Sequence, residues 1–379
     1  MTPSSTPRPD LGEGSRAPGG PRRLRPTTDR LLAVLGIVVG LVLAACSGTA
    51  TATPVSIPPA ATASTAPALS GTPEPSPTAL PAATFPLTLS DDQSTDVVLP
   101  KQPQKIVSLT PAVTETLFAI GAGDRTVGKV EDISDYPPAA HDLPVVATYQ
   151  GVDVEKIVAL GADLVIADGN GLTPQTAIDQ LRRANIPVLA VYASDIEGVL
   201  DDIELIGDAT GDGPAARDLS ASMRASFDQV AAATQGQAAP RTFYEIDATK
   251  EIYGPQKDSF LESMITLAGG TPITAAAGAP DIPLEDLVAA DPEVIVLGDA
   301  AYGTTPEIVA KRPGWGTMAA VKAGAIRPAD DVIITRPGPR LAEGLVALAV
   351  AIHPELASAF PSAVPAESPA ASPTATATY

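Results

Sequence analysis

The chain has 379 residues, a formal net charge of −20 and a single cysteine. The acidic excess argues against a nucleic-acid partner, because negative side chains repel phosphates, and it favours a soluble acidic body. One cysteine cannot form an intramolecular disulfide, so the fold must depend on its apolar core.

The N-terminal segment has the pattern of a lipoprotein signal peptide. Arginines precede an apolar run that starts at Leu31, and two alanines stand directly before Cys46. The run of about 15 residues is shorter than the roughly 20 that a membrane-spanning helix needs. We therefore expect residues 1–45 to be removed, Cys46 to be lipidated, and the chain to be anchored on the extracytoplasmic face of the cell membrane. An uncleaved anchor helix is the alternative, and the Arg22-Arg23 pair leaves Sec and Tat export both open.

Two segments have the composition of disordered chain. Residues 46–86 and 358–379 consist mostly of Ala, Thr, Pro and Ser with few charges. Such sequences cannot bury enough apolar surface to offset the entropy lost on ordering. We expect the first segment to be an extended tether between the membrane and the folded body, and the second to be a disordered tail.

Between these segments, short β-branched runs alternate with helical stretches, a pattern typical of an α/β fold. Thr110-Pro111 has the chemistry of a helix start, and Gly121 follows as a stop signal. The clearest predicted strands are residues 105–109, 164–167, 187–191, 242–246 and 293–297.

A helical segment divides this body. From Asp195 to about Thr234 apolar residues recur at helical spacing, and residues 211–214, Gly-Asp-Gly-Pro, interrupt the pattern. The second part of this segment is predicted to be one long helix that joins two lobes. The predicted divisions are an N-terminal lobe over residues 87–194, a helical segment with the linking helix over 195–239, and a C-terminal lobe over 240–357.

One sequence unit occurs in both lobes. Residues 154–166 and 284–296 each contain a helix with a glutamate at its second position, then a short acidic turn, then a buried strand. The repeat indicates two related lobes that face each other. Ligands bind at domain interfaces and beyond the carboxyl ends of parallel strands, so we expect the ligand cleft between the lobes.

Seven motifs occur in the same order as in a known family: residues 103–123, 134–138, 148–151, 154–160, 258–262, 267–270 and 336–340. With these motifs the chain resembles the periplasmic cobalamin-binding proteins and their siderophore- and haem-binding relatives. The resemblance implies two α/β lobes with parallel-type sheets, joined by one long rigid helix, with the ligand cleft between them. It also implies the substrate-binding component of an ABC importer, which works as a monomer with permease subunits and captures a small metal-chelate ligand. The resemblance covers about residues 100–355.

The resemblance implies which residues contact the ligand. Tyr136 and Tyr149 are loop aromatics of the N-terminal lobe on which a flat ligand stacks, and Gln150 lies next to Tyr149. The family's cobalamin receptors carry Trp where this chain has Tyr149. In the C-terminal lobe, Arg336 matches a ligand-contacting arginine and Asp331 lies near an acidic contact.

Other residues of the second half have two interpretations. Tyr253, Tyr302 and Trp315 are further candidates for the cleft, and plain packing is the alternative for each of them. Trp315, in a Pro-Gly-Trp-Gly sequence, has the most loop-like surroundings of the three. For Arg340 we favour a structural ion pair at the start of the last helix.

Glu155 and Glu285, the repeated glutamates, match a pair of carboxylates, one per lobe, that dock onto arginines of the permease in this family. Two well-separated charges fix orientation and steer the encounter more than they add affinity. A glutamate in the first turn of a helix is also favoured by the helix dipole, which is the alternative explanation.

An enzyme is a rival of another class. His141 and His353 are the only histidines, and no serine or cysteine nucleophile has a plausible partner. We therefore expect no catalytic residues, no cofactor and no metal site. A surface adhesin or structural lipoprotein would account for an anchor and a tether as well. We expect a corrinoid ligand, with a ferric siderophore or haem as the alternatives.

Overall fold

A computed structural model describes residues 83–134, 136–279 and 281–361. The predicted signal peptide, Cys46, most of the tether and residues 362–379 of the predicted tail lie outside the described residues. Among the helices of the described part, none combines the length and hydropathy that crossing a bilayer requires.

Strands and helices alternate along most of the described chain. The strands are β1 (Leu87–Ser90), β2 (Asp96–Leu99), β3 (Ile106–Ser108), β4 (Thr126–Val130), β5 (Val145–Thr148), β6 (Gly151–Val152), β7 (Leu164–Asp168), β8 (Val188–Val191), β9 (Arg241–Glu245), β10 (Thr271–Pro272), β11 (Val294–Leu297) and β12 (Ile326–Pro328). The α-helices are α1 (Pro111–Ala119), α2 (Val154–Leu160), α3 (Gln175–Arg183), α4 (Ile196–Thr210), α5 (Gly213–Thr234), α6 (Phe260–Leu267), α7 (Leu284–Ala290), α8 (Pro306–Val309), α9 (Ala319–Ala323), α10 (Asp331–Thr335) and α11 (Leu341–Ile352).

The N-terminal lobe is built on a six-stranded sheet in the order β6-β5-β4-β3-β7-β8. All its neighbouring strands are parallel except β5 and β6. Every residue of β7 and β8 is buried, as expected of parallel strands with helices on both faces. A separate hairpin of β1 and β2 precedes this sheet.

The C-terminal lobe contains a four-stranded parallel sheet in the order β10-β9-β11-β12. Each of the two sheets has its own apolar cluster on one face. Ile157 of α2 and Ile178 of α3 lie in the outer cluster of the N-terminal lobe. Leu287 of α7 lies in the outer cluster of the C-terminal lobe, together with Phe243.

A third apolar cluster, the shared core, extends through both lobes. It contains Val113 of α1, Phe227 of α5 and Leu345 of α11, together with Tyr244 of the C-terminal sheet. Because residues of both lobes belong to one close-packed cluster, a large rotation of one lobe against the other would have to break apolar contacts. The shared core therefore opposes large relative motion of the lobes.

Helix α5 has 22 residues, which corresponds to about 33 Å, and it packs against α4 and α11. Polar contacts fix its start to the N-terminal lobe. Arg125 forms an ion pair with Asp212, the residue before the helix, and donates hydrogen bonds to the carbonyl oxygens of Thr210 at 2.8 Å and Pro103 at 2.9 Å. The long helix predicted after the Gly-Asp-Gly-Pro sequence is thus confirmed.

The five strands predicted most clearly are confirmed as β3, β7, β8, β9 and β11, with bounds that differ by at most one residue at each end. The repeat is confirmed as well: α2 and α7 each have seven residues, and each ends at a left-handed residue, Gly161 (φ 70°) or Asp291 (φ 47°). A buried strand follows in both cases. The short, partly exposed strands β1, β2, β5 and β6 were not predicted individually.

Trp315 is a packing residue, so its prediction as a cleft residue is wrong. Its side chain is only 3% exposed and lies in the outer cluster of the C-terminal lobe. The indole meets the ring of Phe243 edge-on, with 6.4 Å between centroids, and the guanidinium of Arg312 lies 4.6 Å above it. Arg312 in turn makes two hydrogen bonds, of 2.6 and 2.7 Å, to the buried carboxylate of Glu245. The glycines beside Trp315 suggested an open loop, whereas the ring closes over a buried ion pair.

A pair of carboxyl groups joins the first hairpin to α4. Asp92, in the turn between β1 and β2, accepts a hydrogen bond from the backbone N–H of Tyr192 at 2.6 Å. Burial raises the pKa of the Asp202 carboxyl to about 9, and its hydrogen bond with Asp92 and the charges of Asp92 and Asp201 add to the effect. Asp202 therefore stays protonated at neutral pH and can donate a hydrogen bond to Asp92.

Raising the pH should destabilise the protein through Asp202. Its folded pKa of about 9 lies above the usual value of 3.8, so between these values the folded state binds a proton that the unfolded state has lost. The free energy of unfolding is therefore expected to fall from about pH 5 to pH 9. Asp202→Asn should remove this part of the slope in urea unfolding experiments across that range. Parallel pH profiles of wild type and variant would contradict the assignment.

Trp315→Ala should destabilise the protein by about 3–5 kcal/mol, because it leaves a cavity in the outer cluster and exposes the Arg312–Glu245 pair. Tyr302→Ala is the matched control, since the Tyr302 side chain is 77% exposed. It should change the unfolding free energy by less than about 0.5 kcal/mol. Equal midpoints for both variants in thermal unfolding would show that the indole does not stabilise this lobe.

Candidate functional site

Exposed apolar side chains are concentrated in the loops that follow the carboxyl ends of strands. Ile133 is 80% exposed, Tyr149 92% and Leu172 80%, and each comes shortly after a strand of the N-terminal sheet. We call the whole set the strand-end rim. Its members are Ile133, Tyr136, Tyr149, Leu172 and Tyr192 in the N-terminal lobe, and Ile246 and Tyr302 in the C-terminal lobe.

Exposed apolar groups of this size mark interaction sites when they are grouped. Carboxyl ends of parallel strands meet at one edge of a sheet, so the rim residues of each lobe lie along the same edge. The two edges approach each other directly, because a Cβ placed on Gly338 of the C-terminal lobe would lie 3.4 Å from Ala112 of the N-terminal lobe. The rim therefore borders the cleft between the lobes.

Arg336 bridges this cleft. It follows α10 in the C-terminal lobe, and its guanidinium donates to three side chains of the N-terminal lobe. The distances are 2.6 Å to Glu115, 2.9 and 3.0 Å to the two carboxylate oxygens of Asp132, and 3.1 Å to the hydroxyl of Ser134. The double contact with Asp132 is the strong, parallel geometry of an arginine–carboxylate pair.

Arg340 completes the bridge from the start of α11. It donates to the two carboxylate oxygens of Glu115 at 3.0 and 2.7 Å, and these hydrogen bonds raise the pKa of Arg340. Its guanidinium lies 4.0 Å above the ring of Tyr136, a cation–π distance. The predicted ion pair of Arg340 is confirmed, and its partner lies in the other lobe. We call Glu115, Asp132, Ser134, Arg336 and Arg340 the inter-lobe network.

Local structure holds the two carboxylates in place. Helix α1 begins directly after β3, and the hydroxyl of Thr110 caps it by accepting a hydrogen bond from the N–H of Val113 at 3.1 Å. This start places Glu115 one turn into the helix, where it is only 2% exposed. Asp132 follows β4 and accepts hydrogen bonds from the N–H and the hydroxyl of Ser134 at 3.0 and 2.7 Å. Burial works to raise the pKa of Asp132, but hydrogen bonds from Arg336 and Ser134 outweigh it and lower the pKa.

Asp331 lies on the C-terminal side of the cleft, at the start of α10. It accepts a hydrogen bond from the hydroxyl of Tyr244 at 2.8 Å. Burial raises the pKa of Asp331, and hydrogen bonds from Tyr244 and Thr335 only partly oppose this. Tyr244 is fully buried, which together with the charge of Asp331 raises its pKa far above the usual range, so its hydroxyl remains a donor.

The remaining predicted site residues lie apart from the network. Tyr149 and Gln150 form the tip between β5 and β6, where the Gln150 amide donates to the Tyr149 hydroxyl at 3.2 Å. Tyr253 lies in the loop after β9, and its hydroxyl donates to Glu251 at 2.7 Å. Glu155 and Glu285 are exposed in the first turns of α2 and α7, at equivalent places of the two lobes.

His353 and one surface depression lie outside the inter-lobe network. His353 is buried, and its ring nitrogens lie 3.1 Å from the carbonyl oxygen of Gly269 and 3.3 Å from Glu355, so it holds the end of α11. In the part of the chain that the structure describes, no group of three or more His, Cys, Asp or Glu residues could hold a metal ion. A surface depression of about 530 Å³ lies among α4, α5 and α6, and its carboxylate, Glu262, already accepts from the backbone N–H of Asp258.

Sequence reasoning missed Glu115 and Asp132, as well as the apolar rim residues Ile133, Leu172 and Ile246. The position of Asp132 and Ile133, directly before the Ser-Asp-Tyr-Pro-Pro motif and after a strand, was the available signal for two of them. Nothing local distinguished Glu115 from a surface glutamate of an amphipathic helix.

Comparisons with known proteins agree with this architecture. The family model described as "Periplasmic binding protein" matches residues 106–332. An uncharacterized ABC transporter substrate-binding lipoprotein of Bacillus subtilis is 34% identical over 277 residues, which cover 72% of this chain and 87% of the relative. A cobalamin-binding protein of Halobacterium salinarum is 31% identical over 287 residues, which cover 72% and 75%.

Solved structures show the same fold. A periplasmic haem-binding protein of Pseudomonas aeruginosa is 27% identical with a TM-score of 0.57, and the match covers 66% of this chain and 93% of that protein. A periplasmic vitamin B12-binding protein of Vibrio cholerae is 24% identical with a TM-score of 0.58, covering 66% and 97%. The two-lobed fold, the cleft at the strand ends and the matched family model together show that the chain belongs to the periplasmic binding protein family.

Proposed function

We propose that this protein is a lipid-anchored, extracytoplasmic receptor that captures a corrinoid and delivers it to the permease of an ABC importer. The observation that carries the proposal is the strand-end rim, a set of exposed apolar and aromatic side chains along both edges of the cleft. Water-exposed rings in this number are unfavourable unless a ligand covers them.

The chemistry of the rim fits a large flat ligand. Tyr136 and Tyr149 are both on loops of the N-terminal lobe, and aromatic faces stack on flat conjugated rings. Ile133, Leu172 and Ile246 supply aliphatic surface around them. A ligand that covered this set would bury apolar area on both lobes at once, which is the contact that favours a closed cleft.

The names of relatives support a corrinoid in particular. The protein of Halobacterium salinarum is named for cobalamin binding, and several further relatives are named vitamin B12-binding proteins. The lipoprotein name of the Bacillus subtilis relative supports lipidation of Cys46. Haem is the second candidate, because exposed tyrosines such as Tyr149 can bind haem iron and a haem-binding protein shares the fold.

Titration calorimetry of the purified protein with cyanocobalamin, haem and a set of ferric siderophores tests the proposal directly. One-to-one binding of cyanocobalamin is expected, with negative heat-capacity change because the apolar rim becomes buried. If the protein binds only an iron chelate, it is still a receptor, and the corrinoid part of the proposal is wrong.

Replacing the exposed ring of Tyr149 separates stacking from iron ligation. Tyr149→Ala should weaken cyanocobalamin binding by about tenfold, because an aromatic contact with its buried area contributes on the order of 1–2 kcal/mol. Tyr149→Phe keeps the ring and should bind within about twofold of wild type, whereas loss of haem binding in this variant would indicate ligation by the phenol. Both variants should unfold at the wild-type temperature, because the ring contacts solvent. Unchanged affinity of Tyr149→Ala would remove the residue from the site.

Reversing the charges of Glu155 and Glu285 tests whether these residues dock the receptor onto the permease. The double variant Glu155→Arg, Glu285→Arg should abolish uptake in cells that carry the permease and leave ligand binding intact, since both residues are exposed and lie on helices behind the rim loops. Asp286→Arg, next to Glu285 and also exposed, is the matched control and should transport the ligand normally. A fall in ligand affinity of the double variant would show that these glutamates do not act in docking.

A further inference from the structure

Arg336 and Arg340, the arginines of the cleft, are both paired with carboxylates of the protein. Arg336 makes three contacts with acidic side chains at 2.6 to 3.0 Å, and Arg340 makes two at 2.7 and 3.0 Å. Their partners are one glutamate, Glu115, and one aspartate, Asp132. Two positive and two negative charges therefore cancel where the lobes meet.

The C-terminal side of the cleft contributes further hydrogen-bond acceptors beside the inter-lobe network, whose charges cancel. Asp330 caps α10 by accepting from the N–H of Val332 at 3.0 Å, and Asp331 accepts from Tyr244. Asp299, which follows β11, is 6% exposed, and its Oδ1 has no donor among the described residues. It lies beside Glu245, whose pKa is raised by burial and by the charge of Asp299, while the ion pair with Arg312 opposes this rise. The strand-end region is thus neutral to acidic.

We propose that Glu115 and Asp132 set the charge class of the ligand: by holding Arg336 and Arg340 in the inter-lobe network, they exclude anionic chelates and select a neutral ligand rich in amide donors. The inference rests on the proposed function, in which the strand-end rim binds a metal chelate. It names the side chains that discriminate between chelates of similar size and different charge.

Two costs oppose an anionic ligand. To reach a guanidinium, its carboxylate or catecholate oxygens must displace Glu115, which is 2% exposed and would be left as a buried, unpaired charge. The aspartates of the C-terminal side repel the incoming charge as well. An amide-rich ligand meets neither cost, because its N–H groups can donate to carboxylate oxygens that keep their arginine partners.

A matched pair of ligands tests the inference on the wild-type protein. Cyanocobalamin and its monocarboxylic derivatives, in each of which one side-chain amide is hydrolysed, have nearly the same size, and each derivative carries one more negative charge. The purified full-length protein should bind the derivatives at least about tenfold more weakly than cyanocobalamin at low salt, and the gap should narrow at high salt. Equal affinity of cyanocobalamin and of every derivative would overturn the inference.

A variant that gains affinity for an anionic chelate tests the inference independently of the corrinoid proposal. Asp132→Asn releases one bidentate partner of Arg336, so it should bind a trianionic ferric tris-catecholate at least about tenfold more tightly than wild type does. Asp228→Asn removes the same charge from an exposed position on α5 and should leave this affinity unchanged. A folded Asp132→Asn protein without that gain, or tight binding of the tris-catecholate by wild type, would overturn the inference.

The two experiments distinguish failure of the proposed function from failure of this inference. If wild type does not bind cyanocobalamin, the proposed function fails, and the tris-catecholate gain still decides the role of Asp132. If the circular dichroism spectrum of Asp132→Asn differs from that of the wild type, the variant is not correctly folded. The affinities of the wild type for cyanocobalamin and for its monocarboxylic derivatives then decide the inference.

Discussion

The shared apolar core is the constraint on which the rest of this molecule depends. Helices α4, α5 and α11 bury their apolar faces in one cluster with residues of both sheets, and this packing holds the carboxyl edges of the sheets against each other. Only with that approach can a guanidinium from α10 or α11 reach a carboxylate on α1. The cleft is therefore a product of packing behind it, and its loops are attached to a rigid base.

The inter-lobe network converts this packing into a specific electrostatic arrangement. Glu115 is almost fully buried, and a buried carboxylate is tolerated because Arg336 and Arg340 both donate to it. The same pairing neutralises the positive charges of the two arginines of the cleft. Under the proposed function, recognition depends on apolar area along the rim and on hydrogen bonds to acceptors, and the cost of desolvating those polar groups limits affinity.

Sequence reasoning found the parts of this structure that have a local signal. β-Branched runs buried on both faces identified β7, β8 and β11, and the repeat of a helix, a turn and a strand identified the two lobes. The pairing of residues within the network had no local signal, because Arg336 lies 221 positions from Glu115 and 204 from Asp132. Trp315 was misplaced for a related reason: glycines beside it suggested exposure, and the ion pair that it covers joins Arg312 to a residue 67 positions away. Isolated apolar residues in loops, such as Leu172, carry no pattern until the fold brings them to one edge.

Under the proposed function, the shared core also has a consequence for delivery to the permease. If the lobes barely rotate, the outline that carries Glu155 and Glu285 is nearly the same with and without a ligand. An empty receptor would then compete with a filled one for the same permease. The rate of import would depend on how many receptors surround each permease as well as on how tightly each one binds, and a cell that made too many would slow its own uptake.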